Sequence, residues 1–255
     1  MGVMKLAHYR IFIISVIVTG LLIGAKYILH SFGLEPIVLG TLHGSAISGV
    51  IFVIGFILSA TIADYKEAER IPAEAAATIE DMHEDILTIQ ANYPKVDVAA
   101  YTAQLEKVTK TLAGDLRNSK SNKAKTQLQE LMRLNAQLET AGVPANFIVK
   151  LKQQQASLVR HLFRVNYIQR ISFIPSASIL VWAIVILAIV LMMITAIEPF
   201  LGGMLLTGII TFILVYVLQL IQVIKTPFHS EGKTKDDVSV FLLERTLDHI
   251  RSHKK

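Results

Sequence analysis

Acidic and imidazole side chains gather at one point of this sequence, where they could coordinate a cation. Four of them fall within about one helical turn: Asp81, His83, Glu84 and Asp85. Carboxylates and imidazoles bind divalent cations, but adjacent residues on a helix point in different directions, whereas shared coordination needs side chains one turn apart. We therefore interpret this cluster as a solvated acidic face and predict no metal site.

Catalytic motifs are not recognised elsewhere in the sequence. We identify no glycine-rich phosphate loop, no nucleophile elbow and no histidine pair at zinc-binding spacing. The chain has no cysteine, so disulfides and thiolate metal sites are excluded. Its net charge of +5 is spread along the chain and not gathered into a basic, aromatic-containing patch, which argues against a nucleic-acid partner. The sequence predicts a protein that is not an enzyme and holds no cofactor.

Aromatic side chains at helical spacing form a more informative pattern. Ser48, Phe52 and Phe56 are four residues apart and share one face of a helix, and Gly55 lies beside them. On spacing alone, two phenylalanines one turn apart in a membrane helix more often face lipid or pack against a neighbour than line a pore. Gly55 is small enough to let neighbouring helices approach closely.

The helix that carries this pattern is one of four apolar stretches. Apolar residues make up 53% of the 255 residues and charged residues only 18%, a composition that is rare in soluble domains. A bilayer crossing needs roughly 20 apolar residues. Four stretches are long enough: residues 11–29, 44–63, 171–197 and 199–224. Lys26 lies near the end of the first, where we expect its amine to snorkel to the lipid headgroups.

Basic residues flank these spans unevenly and set the predicted topology. The loop at residues 31–43 has no lysine or arginine, whereas Lys66 and Arg70 follow the second span. Because basic flanks stay on the cytoplasmic side, we predict a multi-pass protein of the cell membrane with both termini cytosolic. The predicted division is 1–63, with the first two spans; 64–170, a cytosolic helical region; 171–225, with the last two spans; and 226–255, a cytosolic C-terminal segment.

The cytosolic segment is predicted to form four amphipathic helices, because its apolar residues recur at intervals of three and four. The first helix carries an apolar stripe from Ile71 and stops near Asn92. The second ends at Gly114, and Gly142 and Pro144 terminate the third. No strand pattern is found, so the predicted fold class is all-α.

Four short motifs of the chain, three of them FVIGF at residues 52–56, DYKEAER at 64–70 and ISFIP at 171–175, follow one another in the order of a known family. Residues 52–56 (FVIGF) resemble the neck segment of the bestrophin family of ion channels, and residues 64–70 (DYKEAER) resemble the pattern with which that helix leaves the membrane. Residues 171–175 (ISFIP) resemble the approach to the third span. A Pro-Phe pair and two acidic residues after the fourth span resemble the family's C-terminal motif: Pro227, Phe228, Asp236 and Asp237.

This resemblance implies a ring of identical subunits, a pentamer, in a lipid bilayer around a pore lined by the second helix. Ser48, Phe52 and Phe56 would form the pore neck, where apolar rings close the path by dewetting. The resemblance implies permeation by small inorganic ions, with an anion such as chloride favoured and cations kept as an alternative. Asp64 would favour cations at the cytosolic mouth if it faced the axis; otherwise it is a carboxylate at the membrane interface.

Departures from the family pattern limit these expectations. Lysines lie beside Asp236 and Asp237, and His229 replaces the family's glycine, so we predict no calcium site there. The alternative function is a non-conducting membrane scaffold whose helical cytosolic region recruits a partner, and a ring-shaped oligomer would distinguish a channel from it. A secondary transporter is disfavoured because no span carries an ionisable residue near its middle.

Overall fold

A computed structural model describes residues 9–117, 123–170, 175–228 and 237–253 of the chain. Within these ranges the chain forms eight helices and one pair of short strands. In chain order the elements are α1 (Arg10–Ser31), β1 (Ile37–Val38), α2 (Thr41–Asn92), α3 (Val98–Arg117), α4 (Lys123–Thr140), α5 (Ala145–Arg170), α6 (Pro175–Met193), β2 (Thr195–Ala196), α7 (Phe200–Ile224) and α8 (Phe241–Ser252). The predicted helical class is confirmed, and the predicted absence of strands is wrong.

The chain divides into two compact units. The first contains α1, α6, α7 and α2 up to Tyr65, and the second contains α2 from Lys66 onward together with α3, α4, α5 and α8. Four helices are long and apolar enough to cross a membrane: α1, α2, α6 and α7. The third of these ends at Met193 and not at the predicted Ile197, because Thr195 and Ala196 form β2.

Helices α2, α6 and α7 bury a narrow apolar core within the first unit. Its buried members are Ile54, Ile57, Val181, Val185, Ala188, Leu214, Leu218 and Ile221. Most other large apolar side chains of these helices are exposed, among them Phe52, Leu187 and Leu201. The first unit therefore has little apolar core of its own and presents a broad apolar surface.

Polar and small residues join α1 to α7. Ser15 is fully buried, and its hydroxyl accepts a hydrogen bond from Nε2 of Gln219 at 3.1 Å. A Cβ atom at Gly208 would come within 2.8 Å of Cδ1 of Ile23, so the two helices approach closely there. Small residues and interhelical hydrogen bonds are typical of helix contacts in membranes, where apolar burial gives little driving force.

Lys26 is buried inside the first unit, with only 1% of its surface exposed. Its amine donates hydrogen bonds to the carbonyl oxygens of Met192, at 3.0 Å, Met193, at 3.3 Å, and Thr195. It also forms an ion pair of 2.5 Å with Glu35. The prediction that this amine snorkels to the headgroups is wrong, because carbonyls left free at the end of α6 and the Glu35 carboxylate satisfy it inside the protein.

Glu35 completes this buried ionic cluster. Its second carboxylate oxygen lies 2.7 Å from Nδ1 of His30, whose ring stacks on Phe200 with a centroid separation of 3.8 Å. Burial opposes ionisation of Glu35, but the hydrogen bonds from Lys26 and His30 outweigh it and hold the pKa of this carboxyl below its ordinary value. The cluster thus fixes the loop after α1 against the end of α6.

The strand pair lies in the same region. Strands β1 and β2 are parallel, with Ile37 opposite Thr195 and Val38 opposite Ala196. The amide of Ile37 donates to the carbonyl of Ile194 at 3.3 Å, and the amide of Leu39 donates to that of Ala196 at 3.2 Å. Two-residue strands are too short to show the alternation by which a strand is recognised in sequence, which explains why they were missed.

Amphipathic helices bury one continuous core in the second unit. The predicted stripes are confirmed, and fully buried members of this core include Ile79, Met82, Ile86, Leu105, Val108, Leu131, Leu151 and Leu158. Helix α2 ends at Asn92, as predicted, and Gly142, with φ of +84°, follows α4. Helix α3 continues past Gly114 to Arg117, because a glycine costs a helix interior only about 1 kcal/mol.

Helix α8 was missed in the sequence and belongs to the second unit. Leu243 and Ile250 on one of its faces are fully buried. Thr246 donates a hydrogen bond to Glu80 at 2.9 Å, and Arg251 pairs with Glu106 at 2.8 Å. A helix of 12 residues offers only three turns of pattern, which is too little to distinguish it from a polar terminal segment.

Candidate pore-lining face

One exposed face of α2 in the first unit carries the three residues predicted to form the neck. Phe52 is 75% exposed, Phe56 is 72% exposed, and Ser48 is exposed as well. Four residues advance an α-helix by one turn plus about 40°, so the three side chains occupy an arc of about 80°. The structure brings these residues together on one face, and their role in a pore stays a prediction.

The opposite face of α2 is buried within the unit. Ile54 is 4% exposed and Thr61 is 1% exposed, and the Thr61 hydroxyl donates to the carbonyl of Ile57 at 2.8 Å. At about 100° per residue, Ile54 and Thr61 lie within about 20° of the direction opposite Phe52. The two phenylalanines therefore contribute nothing to the core of their own subunit. Both side chains face outward from the described part of the chain.

Gly55 lies on the exposed side of the same helix. A Cβ atom placed there would have no other atom within 4 Å. No other helix in the described part of the chain approaches Gly55, and the predicted close approach of a neighbouring helix stays a prediction.

Asp64 is exposed but does not share the face of the phenylalanines. At about 100° per residue, it lies about 120° around the helix from Phe52 and about 80° from Phe56. This position favours the alternative in which Asp64 is a carboxylate at the membrane interface over one in which it attracts cations into the pore mouth.

The described members of the C-terminal motif pack onto the second unit. Pro227 is buried, its carbonyl accepts a hydrogen bond from the amide of Val238 at 2.9 Å, and Phe228 contacts the apolar core of that unit. Asp237 is half-buried, and Asp236 lies outside the described residues. Pro227 and Phe228 thus anchor the segment that follows α7.

The acidic cluster on α2 is partly neutralised by α5. The Lys150 amine donates to Asp81 at 3.2 Å and to Asp85 at 2.8 Å, and Gln154 also bonds both carboxylates. The hydrogen bond to Asp85 is the main cause that raises the pKa of Lys150. The interpretation of this cluster as a solvated face is therefore wrong in part, because α5 binds the two aspartates and His83 is only 1% exposed.

Histidines that the sequence analysis did not connect meet beside this cluster. The interpretation that the chain lacks a histidine pair at zinc-binding spacing is wrong, since His249 and His253 lie one turn apart at the end of α8. It failed because α8 was not recognised as a helix. The ring centroid of His83 lies 6.2 Å from that of His249 and 5.5 Å from that of His253.

This chain is similar to known proteins in its fold and not in its sequence. No family model matches the chain, and neither does any curated protein. The structure resembles a bacterial bestrophin homologue from Klebsiella pneumoniae with a TM-score of 0.81 and 12% identity, over 94% of this chain and 97% of that one. A variant of that homologue gives a TM-score of 0.80 at 12% identity, over 95% and 98% of the two chains. A crystal structure of a membrane protein variant gives 0.80 at 12% identity, over 94% and 97%.

These comparisons confirm the resemblance that four short motifs indicated. The neighbours are bestrophin homologues and membrane proteins, and the match extends over almost the whole of each chain. At 12% identity the likeness establishes the fold. This chain therefore has the fold of bacterial bestrophin homologues, with its apolar helices arranged as theirs are.

Proposed function

We propose that this chain is one subunit of a bestrophin-like pentameric channel that conducts small inorganic ions, with an anion such as chloride favoured. The observation that carries the proposal is the exposed face of Ser48, Phe52 and Phe56 on a chain with this fold. Five copies around an axis would convert that face into three stacked rings. Helix α2 would then line the pore neck, and α1, α6 and α7 would separate it from the lipid.

The chemistry of these rings is that of a hydrophobic constriction. Apolar rings offer an ion no replacement for its hydration shell, and a narrow apolar neck expels water. Phe52 and Phe56 supply such surface, whereas the hydroxyl of Ser48 makes its ring smaller and easier to wet. The neck would therefore close by dewetting at the phenylalanine rings and stay hydrated at Ser48.

The charges near the neck give no reason to prefer cations. Residues 48–56 contain no charged side chain, and Asp64, the first carboxylate after them, lies about 120° around the helix from Phe52. A neck without carboxylates has no ring of negative charge to concentrate cations. The reversal potential across reconstituted bilayers in a KCl gradient checks the sign of the permeating charge.

The orientation of the chain is part of the proposal. Both termini and the second unit would be cytosolic, in a cell membrane crossed by α1, α2, α6 and α7, because lysine and arginine are absent from residues 31–43. The chain has no native cysteine. A cysteine introduced at Ser31 should therefore react with an impermeant reagent from the outside only.

The decisive experiment combines oligomer mass with ion flux. The Phe52→Ala/Phe56→Ala double variant should keep a mass of five 28.2 kDa subunits and conduct more than the parent, because the widened neck holds its water more firmly. Leu187→Ala on α6 is the control, since Leu187 is 67% exposed and lies on another helix. Its flux should equal that of the parent.

Two outcomes would contradict the channel. A monomeric or dimeric parent complex would leave no ring to enclose a pore, and the scaffold would then be the better function. A double variant that loses its oligomer and never conducts more than the parent would place the phenylalanines in a subunit contact and not in the neck.

A further inference from the structure

Three histidines form a compact cluster in the second unit, apart from the proposed pore face. His83 comes from α2, and His249 and His253 come from the end of α8. Their ring centroids lie 4.6 Å apart for His249 and His253, 5.5 Å for His83 and His253, and 6.2 Å for His83 and His249. The three rings are nearly perpendicular to one another, at 73° to 82°. The three pairs of rings are therefore in edge-to-face contact.

The fold anchors α8 beside these histidines through the core of the unit, through one hydrogen bond to α2 and through one ion pair to α3. Leu243 and Ile250 are fully buried in the core of the unit, and Thr246 bonds Glu80 one turn before His83. The Arg251–Glu106 pair fixes α8 one residue beyond Ile250. Because His249 and His253 are exposed, the cluster has one buried member and two members open to solvent.

Hydrogen bonding leaves ring nitrogens of this cluster available as ligands. Nε2 of His83 is buried and has no hydrogen-bond partner among the described residues, although buried polar atoms are nearly always bonded. Nδ1 of His253 lies 3.1 Å from the carbonyl oxygen of His249 and 3.4 Å from the hydroxyl oxygen of Ser252. A hydrogen bond donated from Nδ1 to that carbonyl would leave Nε2 of His253 available to a metal, which is the usual arrangement of a metal-binding imidazole.

The spacing of the rings matches the size of a shared metal site. A Zn–N bond of about 2.0 Å places each ring centroid about 3.2 Å from the ion, and tetrahedral geometry then separates the centroids by about 5.2 Å. The observed separations of 4.6 to 6.2 Å bracket this value. In the described part of the chain no three such side chains already converge on one point, so rotation of the exposed His249 and His253 rings must complete the site.

We propose that His83, His249 and His253 bind a Zn²⁺ ion, with water as the fourth ligand. Imidazole suits Zn²⁺ and related transition metals, whereas Ca²⁺ and Mg²⁺ prefer oxygen ligands, so the site discriminates between these classes. The ion would tie α8 to α2 and give the buried Nε2 of His83 its missing partner. This site is independent of the proposed channel function, and it revises the sequence-based prediction that the chain has no metal site.

A competition titration of the purified full-length chain in detergent tests the site. Zn²⁺ is titrated against a chromophoric chelator, and we expect one ion per chain, with no displacement of Zn²⁺ by excess Ca²⁺ or Mg²⁺. His249→Ala and His253→Ala should each raise the Kd at least about tenfold, because one of three protein ligands is lost. Both side chains are exposed, so these variants test binding without leaving a cavity in the core.

A second readout and a matched control separate this site from adventitious binding. Co²⁺ bound at the parent site should give the intense visible absorption of tetrahedral coordination, and both variants should lose it. His161→Ala removes a histidine of the same unit outside the cluster and should bind Zn²⁺ as the parent does. The absence of stoichiometric binding, or binding that persists unchanged in His249→Ala and His253→Ala, would overturn the proposal.

Discussion

The two units of this chain differ in the share of polar side chains among their buried residues, which is larger in the first unit. In the second unit the fully buried positions are mostly apolar, as at Ile79, Met82 and Ile86. In the first unit many buried positions are polar: Ser15, Thr19, Lys26, Thr61, Thr195, Thr207 and Thr211. Large apolar side chains such as Leu187 and Leu201 are instead exposed there. The first unit thus exposes apolar surface in the way that is typical of membrane proteins, whereas the second has the apolar core that is typical of a unit in water.

Helix α2 belongs to both units, and its two phenylalanines are exposed in the first unit, whereas its apolar stripe is buried in the second. Up to Tyr65 its phenylalanines point away from the core of the first unit, and from Ile71 onward its apolar residues point into the core of the second. In water, exposed phenylalanines would be an aggregation hazard, whereas in a membrane ring they are free to face a pore or another subunit. The difference between the units therefore predicts which substitutions damage a subunit and which damage only the assembly.

The largest effect is expected at the buried amine of the first unit. Lys26→Met removes the ammonium that pairs with Glu35 and leaves the buried carboxylate with only its bond to His30, together with three carbonyl oxygens that lose their donor. Breaking a buried pair in this way typically costs about 3–5 kcal/mol. Unfolding of the reconstituted protein by SDS titration in mixed micelles should show this loss of stability.

A double-mutant cycle sharpens this result. Lys26→Met/Glu35→Gln removes both charges and should recover part of the stability that Lys26→Met loses, because no unpaired charge remains buried. Stability of Lys26→Met equal to that of the parent would mean that the amine reaches the headgroups after all. Lys26 would then no longer count among the buried polar side chains that distinguish the first unit from the second.

A smaller loss is expected in the apolar core of the second unit. Ile86→Ala deletes buried methyl groups from a fully buried position and should cost about 2–5 kcal/mol of unfolding free energy. Leu187→Ala in the first unit removes a similar apolar volume from an exposed position and should change the stability of the subunit little. Equal losses in the two variants would show that Leu187 is buried in the assembly and not in contact with lipid.

Much of this fold could be predicted because apolar helices and amphipathic helices each have a recognisable sequence pattern. Long uncharged runs marked the four apolar helices, and stripes such as Ile79, Met82 and Ile86 marked the amphipathic ones. The predictions that failed mostly concern contacts between residues that are far apart in the sequence. Lys26 looked like a snorkelling lysine because Glu35 and the end of α6 meet it only after folding, and no local pattern announces such a pairing.

The two candidate sites differ in how far the sequence predicts them, because one depends on local helical geometry and the other on contacts between distant segments. Ser48, Phe52 and Phe56 share a face through helical geometry alone, so their spacing was sufficient. The histidine cluster needs α2 and α8 to pack together, and its local half, His249 and His253, lies on a short helix with a weak pattern. The spacing of His249 and His253 indicates that these two lie one helical turn apart, but it gives no indication that His83 joins them.

The smallest effects are expected at two glycines of the first unit, and they should differ in sign. A Cβ atom at Gly203 would come within 2.8 Å of the carbonyl oxygen of Ile197, so Gly203→Ala forces the backbone to move and should destabilise the subunit by about 1–3 kcal/mol. A Cβ atom at Gly55 would meet nothing within 4 Å. Gly55→Ala should therefore stabilise the subunit by about 0.5–1 kcal/mol, because alanine restricts the unfolded chain and favours helix.

Assembly makes the Gly55 variant informative beyond the subunit. If a helix of the neighbouring subunit approaches Gly55 in the ring, the added methyl group blocks that approach, and the oligomer should dissociate at a lower detergent concentration although each subunit is more stable. Native mass measurement beside SDS titration separates the two effects. A variant with stronger subunits and an unchanged oligomer would place Gly55 away from the subunit contact, and a variant with weaker subunits would contradict the open space that the structure shows around it.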